Sequence, residues 1–222
     1  MLKLANLMFQ LGTFQLQAAD FRLSQGDGCW LQGFNGAGKS TFLKCIAGIY
    51  PVTAESLSIN GLACHDDLVS YKQQVLYISQ HCHAYPDFSV MQMLAFCRRF
   101  YPLWSQDDVE HLQDLLQLAD SKKVRQLSAG MAAKLNLLLA AGSQASLLLL
   151  DELIAQVDSP SRHIIAGYLQ QRMRDGVAII YCSHHQDEIS CLLKGRALVT
   201  EGVVRQERRA EQRAAGGLYA TV

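Results

Sequence analysis

The stretch from Cys29 to Ile46, CWLQGFNGAGKSTFLKCI, constrains the fold more than any other in the chain. A short apolar run stops at Gly33, glycine recurs at 36 and 38, and a helical pattern opens at Lys39. Residues 33–40 fit G-x-x-x-x-G-K-[ST], with Phe34, Asn35, Gly36 and Ala37 in the loop and Thr41 just beyond it. The order strand, glycine loop, helix is the setting in which such a loop wraps a phosphate. Glycines let the backbone come close, so that N–H groups and the helix N-terminus point at phosphate oxygens. Lys39 then places a cation on the β- and γ-phosphates of a nucleotide, and the Ser40 hydroxyl is placed to ligate Mg²⁺.

A second stretch completes the chemistry. LLLLDE, residues 147–152, buries a strand with four leucines and then presents two carboxylates at its C-terminal end. Ligands of open α/β sheets bind at that end. Asp151 is suited to hold Mg²⁺ through its water shell, and Glu152 to polarise an attacking water.

The remaining pattern supplies the layers. Residues 2–9 and 14–23 alternate apolar and polar positions and end in a turn, as an antiparallel hairpin does. VLYIS (75–79), the leucine run and GVAIIYCSHH (176–185) are short buried strands. Three helical patterns lie between 89 and 143, and a fourth at 159–173. Buried strands alternating with helices imply an α/β fold with a mainly parallel sheet covered on both faces, interrupted by a helical block.

Of 222 residues, Lys plus Arg and Asp plus Glu number 20 each, a balance that argues against a broad nucleic-acid footprint. No run approaches the ~18–20 apolar residues of a membrane span, and the N-terminus lacks the shape of a signal peptide. The seven cysteines (29, 45, 64, 82, 97, 182, 191) show no C-x-x-C spacing and read as reduced core thiols. His81 and His83 in QHCHAYP share one side of an extended segment with Cys82 opposite, so at most two ligands converge, short of a structural zinc set. The Arg-rich stretch 205–222 reads as a solvated tail.

Gln80 after VLYIS, LSAGM at 127–131, Asp158 seven residues past Asp151, and His184 after the next strand join the two phosphate motifs in order. In this order and spacing the chain resembles the ATP-binding-cassette (ABC) ATPases over nearly all of residues 1–204. The resemblance implies a P-loop NTPase core, an N-terminal antiparallel β subdomain, and a helical subdomain inserted at about 86–145. It implies that Gln80 touches Mg²⁺ and the lytic water, and that Ser128, Ala129, Gly130 and Met131 face the nucleotide of a second subunit. It further implies that Asp158 crosses between monomers and that His184, preferred to His185, contacts the γ-phosphate. An aromatic of the first hairpin is expected to stack on adenine, and Phe9 and Phe14 compete for that role.

The family's usual signature is L-S-G-G-Q, so Ala129 and Met131 depart from it, and Leu153 stands where proline usually follows the glutamate. The methyl of Ala129 restricts the backbone where it approaches phosphate, and Met131 lacks the polar contact of glutamine. The L-S-x-G-M variant and FYPLW (100–104) resemble exporter-type cassettes encoded as separate chains. The expected function is therefore an ATP- and Mg²⁺-dependent hydrolase that dimerises around ATP with a like or unlike nucleotide-binding subunit. It is expected to drive a separate permease from the cytoplasmic face of the membrane as a peripheral subunit, without nucleic acid. A regulatory cassette that hydrolyses poorly, and a cassette acting on a soluble target, are the alternative readings.

Overall fold

The computed structural model describes residues 1–79, 85–154, 156–184 and 186–207. Its centre is one ten-stranded mixed sheet. The N-terminal hairpin pairs β1 (Leu2–Leu11) with β2 (Phe14–Leu23), antiparallel with Phe9 opposite Leu16 and Leu11 opposite Phe14. The short strands β4 (Ser56–Ile59) and β5 (Leu62–Ala63) extend it beyond β1. The other half is parallel: β3 (Gly28–Gln32), then β8 (Ala178–Cys182), β7 (Leu147–Asp151) and β6 (Val75–Ser79). A late hairpin, β9 (Gly195–Thr200) and β10 (Val203–Gln206), joins the halves by pairing parallel to β3 on one side and to β2 on the other.

Side-chain alternation divides the sheet between two cores. Leu147, Leu149, Ala178, Ile180 and Cys182 face the core built on α1 (Lys39–Ile46) and the first hairpin. Leu148, Leu150, Ile179 and Tyr181 face the core built on the helical block and α6 (Ser159–Arg174). Both faces are covered, which is why these strands read as unbroken apolar runs. Fully burying each leucine stabilises the fold by about 2 kcal/mol relative to leaving it exposed.

The helical block enters between β6 and β7, strands that are adjacent in the sheet. It contains α3 (Val90–Arg98), α4 (Gln106–Leu116) and α5 (Ala129–Ser143), each opened by a serine. Ser89 forms a full capping box with Gln92, Ser105 accepts from the Asp108 N–H, and Ser128 accepts from the Met131 N–H. Trp104 packs where a side chain at Gly142 would stand, so α5 carries glycine there to admit the indole.

Two elements exceed the sequence expectation. A six-residue helix, α2 (Leu68–Gln73), is capped by Asp67, and the β9–β10 hairpin turns through Glu201 and Gly202, both at positive φ. Backbone pairing continues past residue 204 to Gln206, whose amide also brackets the Arg22 backbone at 2.9 and 2.8 Å. The cysteines are less uniformly buried than expected. Cys29, Cys45 and Cys182 lie in the core, Cys64 and Cys97 are half-buried, and Cys191 is exposed, while Cys82 lies outside the described residues. Among the described residues no helix is long and apolar enough to cross a membrane.

Candidate nucleotide-binding site

The loop at residues 33–38 leaves β3 and enters α1 through backbone angles that side chains rarely adopt: φ is +151° at Gly33, +78° at Gly36 and +109° at Gly38. Close approach adds a second constraint. A Cβ at Gly33 would meet the Val199 carbonyl oxygen, and one at Gly38 would stand 2.9 Å from Phe14 Cζ. The late hairpin braces the loop from beneath, because the Gly202 N–H donates to the buried Ala37 carbonyl at 3.0 Å. The N-cap of α1 is Gly38, which makes no side-chain cap bond, and a helix start of this kind is suited to an anion. Lys39 is buried, and its ammonium donates to the Gly33 and Phe34 carbonyls at 2.8 and 3.0 Å. Ser40, Asn35 and Gly36 are exposed, and Phe34 is 87% exposed.

The parallel strands bring the acidic groups to the same edge. Asp151 ends β7, is buried, and accepts a hydrogen bond from the Tyr77 hydroxyl at 2.8 Å. Burial, and after it the Asp151 charge, holds the Cys182 thiol far above its ordinary range; Lys39 opposes this and Glu152 adds to it. Asp151 stands beside Cys182 in the β7–β8 register, so the two strands end together.

Glu152 takes a left-handed backbone, φ +54°, with its N–H donating to the Cys182 carbonyl at 2.9 Å. Such an angle costs a residue with a Cβ roughly 1–2 kcal/mol and turns its side chain out of the strand's alternation. The Glu152 carboxylate there contacts Nε2 of His184. Leu153, in the place of proline, is buried in the helical-side core. Trp30 steadies the same edge: its indole donates to Ser183, next to His184, at 3.0 Å.

The signature residues form a separate group. Ala129 is the first residue of α5 and is absent from the positive-φ residues, so it holds the ordinary helical angles that alanine tolerates. Gly130 is the sterically required glycine, since a Cβ there would stand 2.8 Å from the Gln156 carbonyl. Met131 packs against the helical-side core with Sδ 3.3 Å from Lys122 Nζ. Asp158 caps α6 by accepting from the Ser161 N–H at 2.9 Å and lies 3.5 Å from Lys134 of α5. These bonds, foremost that from the Ser161 backbone, hold its carboxyl at about 2, below the usual 3.8.

The competing aromatics part company. Phe9 lies in the core, 8% exposed, with its ring stacked on Tyr50 at 5.1 Å, which removes a face that adenine would need. Phe14 stays half-buried against the phosphate loop. Gln80, His81, Cys82, His83 and His185 lie outside the described residues. Sequence reading missed Tyr77 and Asn136. A tyrosine in a buried strand needs a partner for its hydroxyl, and an asparagine in an apolar helix needs one for its amide. The Asn136 amide donates to the Ser79 carbonyl at 3.1 Å, tying α5 to the end of β6.

A model of a protein family described as ABC transporter matches residues 16–155. The chain belongs to the ABC transporter family. Among curated relatives, the linearmycin resistance ATP-binding protein LnrL of Bacillus subtilis (strain 168) is 26% identical over 192 residues, covering 84% of this cassette and 62% of that protein. The Nod factor export ATP-binding protein I of Cupriavidus pinatubonensis is 28% identical over 213 residues, covering 90% of this cassette and 66% of its own length. The cassette therefore spans under two thirds of these two relatives. The fold matches a solved ATP-binding subunit of an ABC transporter with a TM-score of 0.87 at 22% identity, covering 100% of this cassette and 95% of that chain. It also matches a dimeric post-hydrolysis ATP-binding cassette, MJ0796, bound to ADP and Pi, with a TM-score of 0.78 at 18% identity over 94% of this cassette and 99% of that chain.

Proposed function

We propose that this chain is the ATP-binding and ATP-hydrolysing subunit of an exporter-type membrane transporter. The observation that carries the reading is strand order: the phosphate loop with Lys39 follows β3, and Asp151, Glu152 and His184 stand at the ends of the neighbouring strands β7 and β8. Lys39 and the loop N–H groups bind the β- and γ-phosphates of ATP, and Phe14 is the adenine-stacking aromatic. Ser40 and Asp151 are hard oxygen donors suited to Mg²⁺, with Gln80 as a further contact. Mg²⁺, when bound, neutralises charge on the β- and γ-phosphates. Glu152 accepts a proton-side hydrogen bond from the attacking water and orients it, and His184 holds the γ-phosphate.

The signature residues and Asp158 make their polar contacts within the helical block and α6, apart from the phosphate loop. We read them as the half-site offered to the ATP of a second nucleotide-binding subunit, like or unlike. ATP then favours the closed pair and hydrolysis releases it, through differential affinity for the two states. The unstrained backbone of Ala129 removes one reason to expect poor turnover. A separate permease docks beside the aromatic cluster of Tyr85, Phe88, Phe96 and Phe100, where Tyr85 and Phe100 are about half exposed. On this reading the subunit is peripheral, on the cytoplasmic face of the membrane, and its balanced charge argues against a broad nucleic-acid footprint.

The test is size-exclusion chromatography of Glu152→Gln with ATP and Mg²⁺. The expected species is an ATP-trapped dimer, and a monomer that retains bound ATP refutes the sandwich.

A further inference from the structure

We propose that Tyr77 is a positioning residue for Asp151, fixing the carboxylate orientation on which Mg²⁺ binding with the nucleotide depends. This rests on the ATPase reading above and extends it to a residue that touches neither nucleotide nor cation.

The geometry follows from strand register. β6 and β7 run parallel with Ser79 beside Asp151 and Tyr77 beside Leu149. Tyr77 and Asp151 are therefore diagonal neighbours on the same face, a separation that a long side chain can span. The tyrosine ring packs against the core under the first hairpin, which fixes its direction, and its hydroxyl reaches Asp151 Oδ2 at 2.8 Å. A carboxylate with one oxygen held by an anchored phenol can rotate only by breaking that bond. Its second oxygen is thereby held at a fixed angle to the strand end.

Two effects of the phenol oppose each other. The hydrogen bond withdraws charge from the carboxylate, which weakens it as a metal partner, and it orients the carboxylate, which strengthens it. Outer partners of ligating groups contribute about 10–100-fold to metal affinity, so orientation dominates.

The substitution Tyr77→Phe removes the hydroxyl and keeps the ring. Calorimetric titration with ADP is run on the full chain, in EDTA and in excess Mg²⁺. Affinity in EDTA is expected to match the parent within about two-fold, while the tightening produced by Mg²⁺ falls about ten-fold. In steady-state hydrolysis at saturating ATP, half-saturating Mg²⁺ is expected to rise by the same factor, with kcat recovered at high Mg²⁺. Unchanged or tightened Mg²⁺ dependence overturns the proposal, as does an equal loss of ADP affinity in both buffers. A parent chain that gains no ADP affinity from Mg²⁺ overturns the ATPase reading itself and this role with it.

Discussion

Alanine at position 130 adds one methyl group, and the structure says where it lands. The new carbon stands 2.8 Å from the Gln156 carbonyl oxygen, well inside ordinary contact, which begins near 3.4 Å. Backbone lies on both sides, so relief requires moving the start of α5 or the segment leading to Asp158. Overpacking of this kind costs about 1–3 kcal/mol. The better helix propensity of alanine returns under ~1 kcal/mol in a first turn. For a domain of this size a net loss of about 1–2 kcal/mol lowers Tm by roughly 2–8 °C. The same displacement separates Ser128 from Asp158, so ATP-bound dimer should fall in a Glu152→Gln background. Ala129→Gly is the comparison: that position has ordinary helical angles, and the loss should stay under ~1 kcal/mol without loss of dimer. Differential scanning calorimetry and size-exclusion chromatography read both effects. Gly130→Ala that melts with the parent and dimerises to the same extent would refute the steric reasoning.

Asn136→Leu removes the donor to the Ser79 carbonyl and should cost about 1–3 kcal/mol in urea unfolding; an unchanged midpoint argues that the bond is dispensable. Asp158→Asn keeps the helix cap and removes the charge. Because the folded carboxyl titrates at about 2 against an ordinary 3.8, its contribution is present above 3.8 and lost as pH falls toward 2. The Tm difference between parent and variant should therefore shrink across that window, and a difference independent of pH would exclude the charge as its source. Burial raises the thiols of Cys29 and Cys45 to about 12, so native alkylation followed by peptide mapping should label Cys191 and spare both. Labelling of Cys29 before unfolding contradicts the core assignment.

The phosphate loop, the acidic strand end and the parallel sheet were legible because each is written locally: glycine where φ must be positive, leucine runs where both faces are covered. Which hairpin aromatic stays accessible was not. Phe9 and Phe14 sit on paired strands, and what removes Phe9 from the surface is Tyr50, a residue from beyond α1. The β9–β10 hairpin carried a visible signal, alternating apolar residues around Glu201-Gly202, yet its importance lies in which distant strands it joins. The signature shows another limit: the departure at Ala129 is visible in the sequence, whereas the close backbone approach at Gly130, set by Gln156 from beyond β7, is not.

The brace between Gly202 and Ala37 has a consequence for the order of events during synthesis. The phosphate loop is complete in sequence by residue 41, but the backbone that supports it arrives about 160 positions later. A growing chain can form the first hairpin early from neighbouring residues, while the loop lacks its floor until the late hairpin inserts between β2 and β3. On the proposed function, nucleotide stabilises this protein at the end of its folding, acting as a seal on a finished sheet and offering little to a nascent chain.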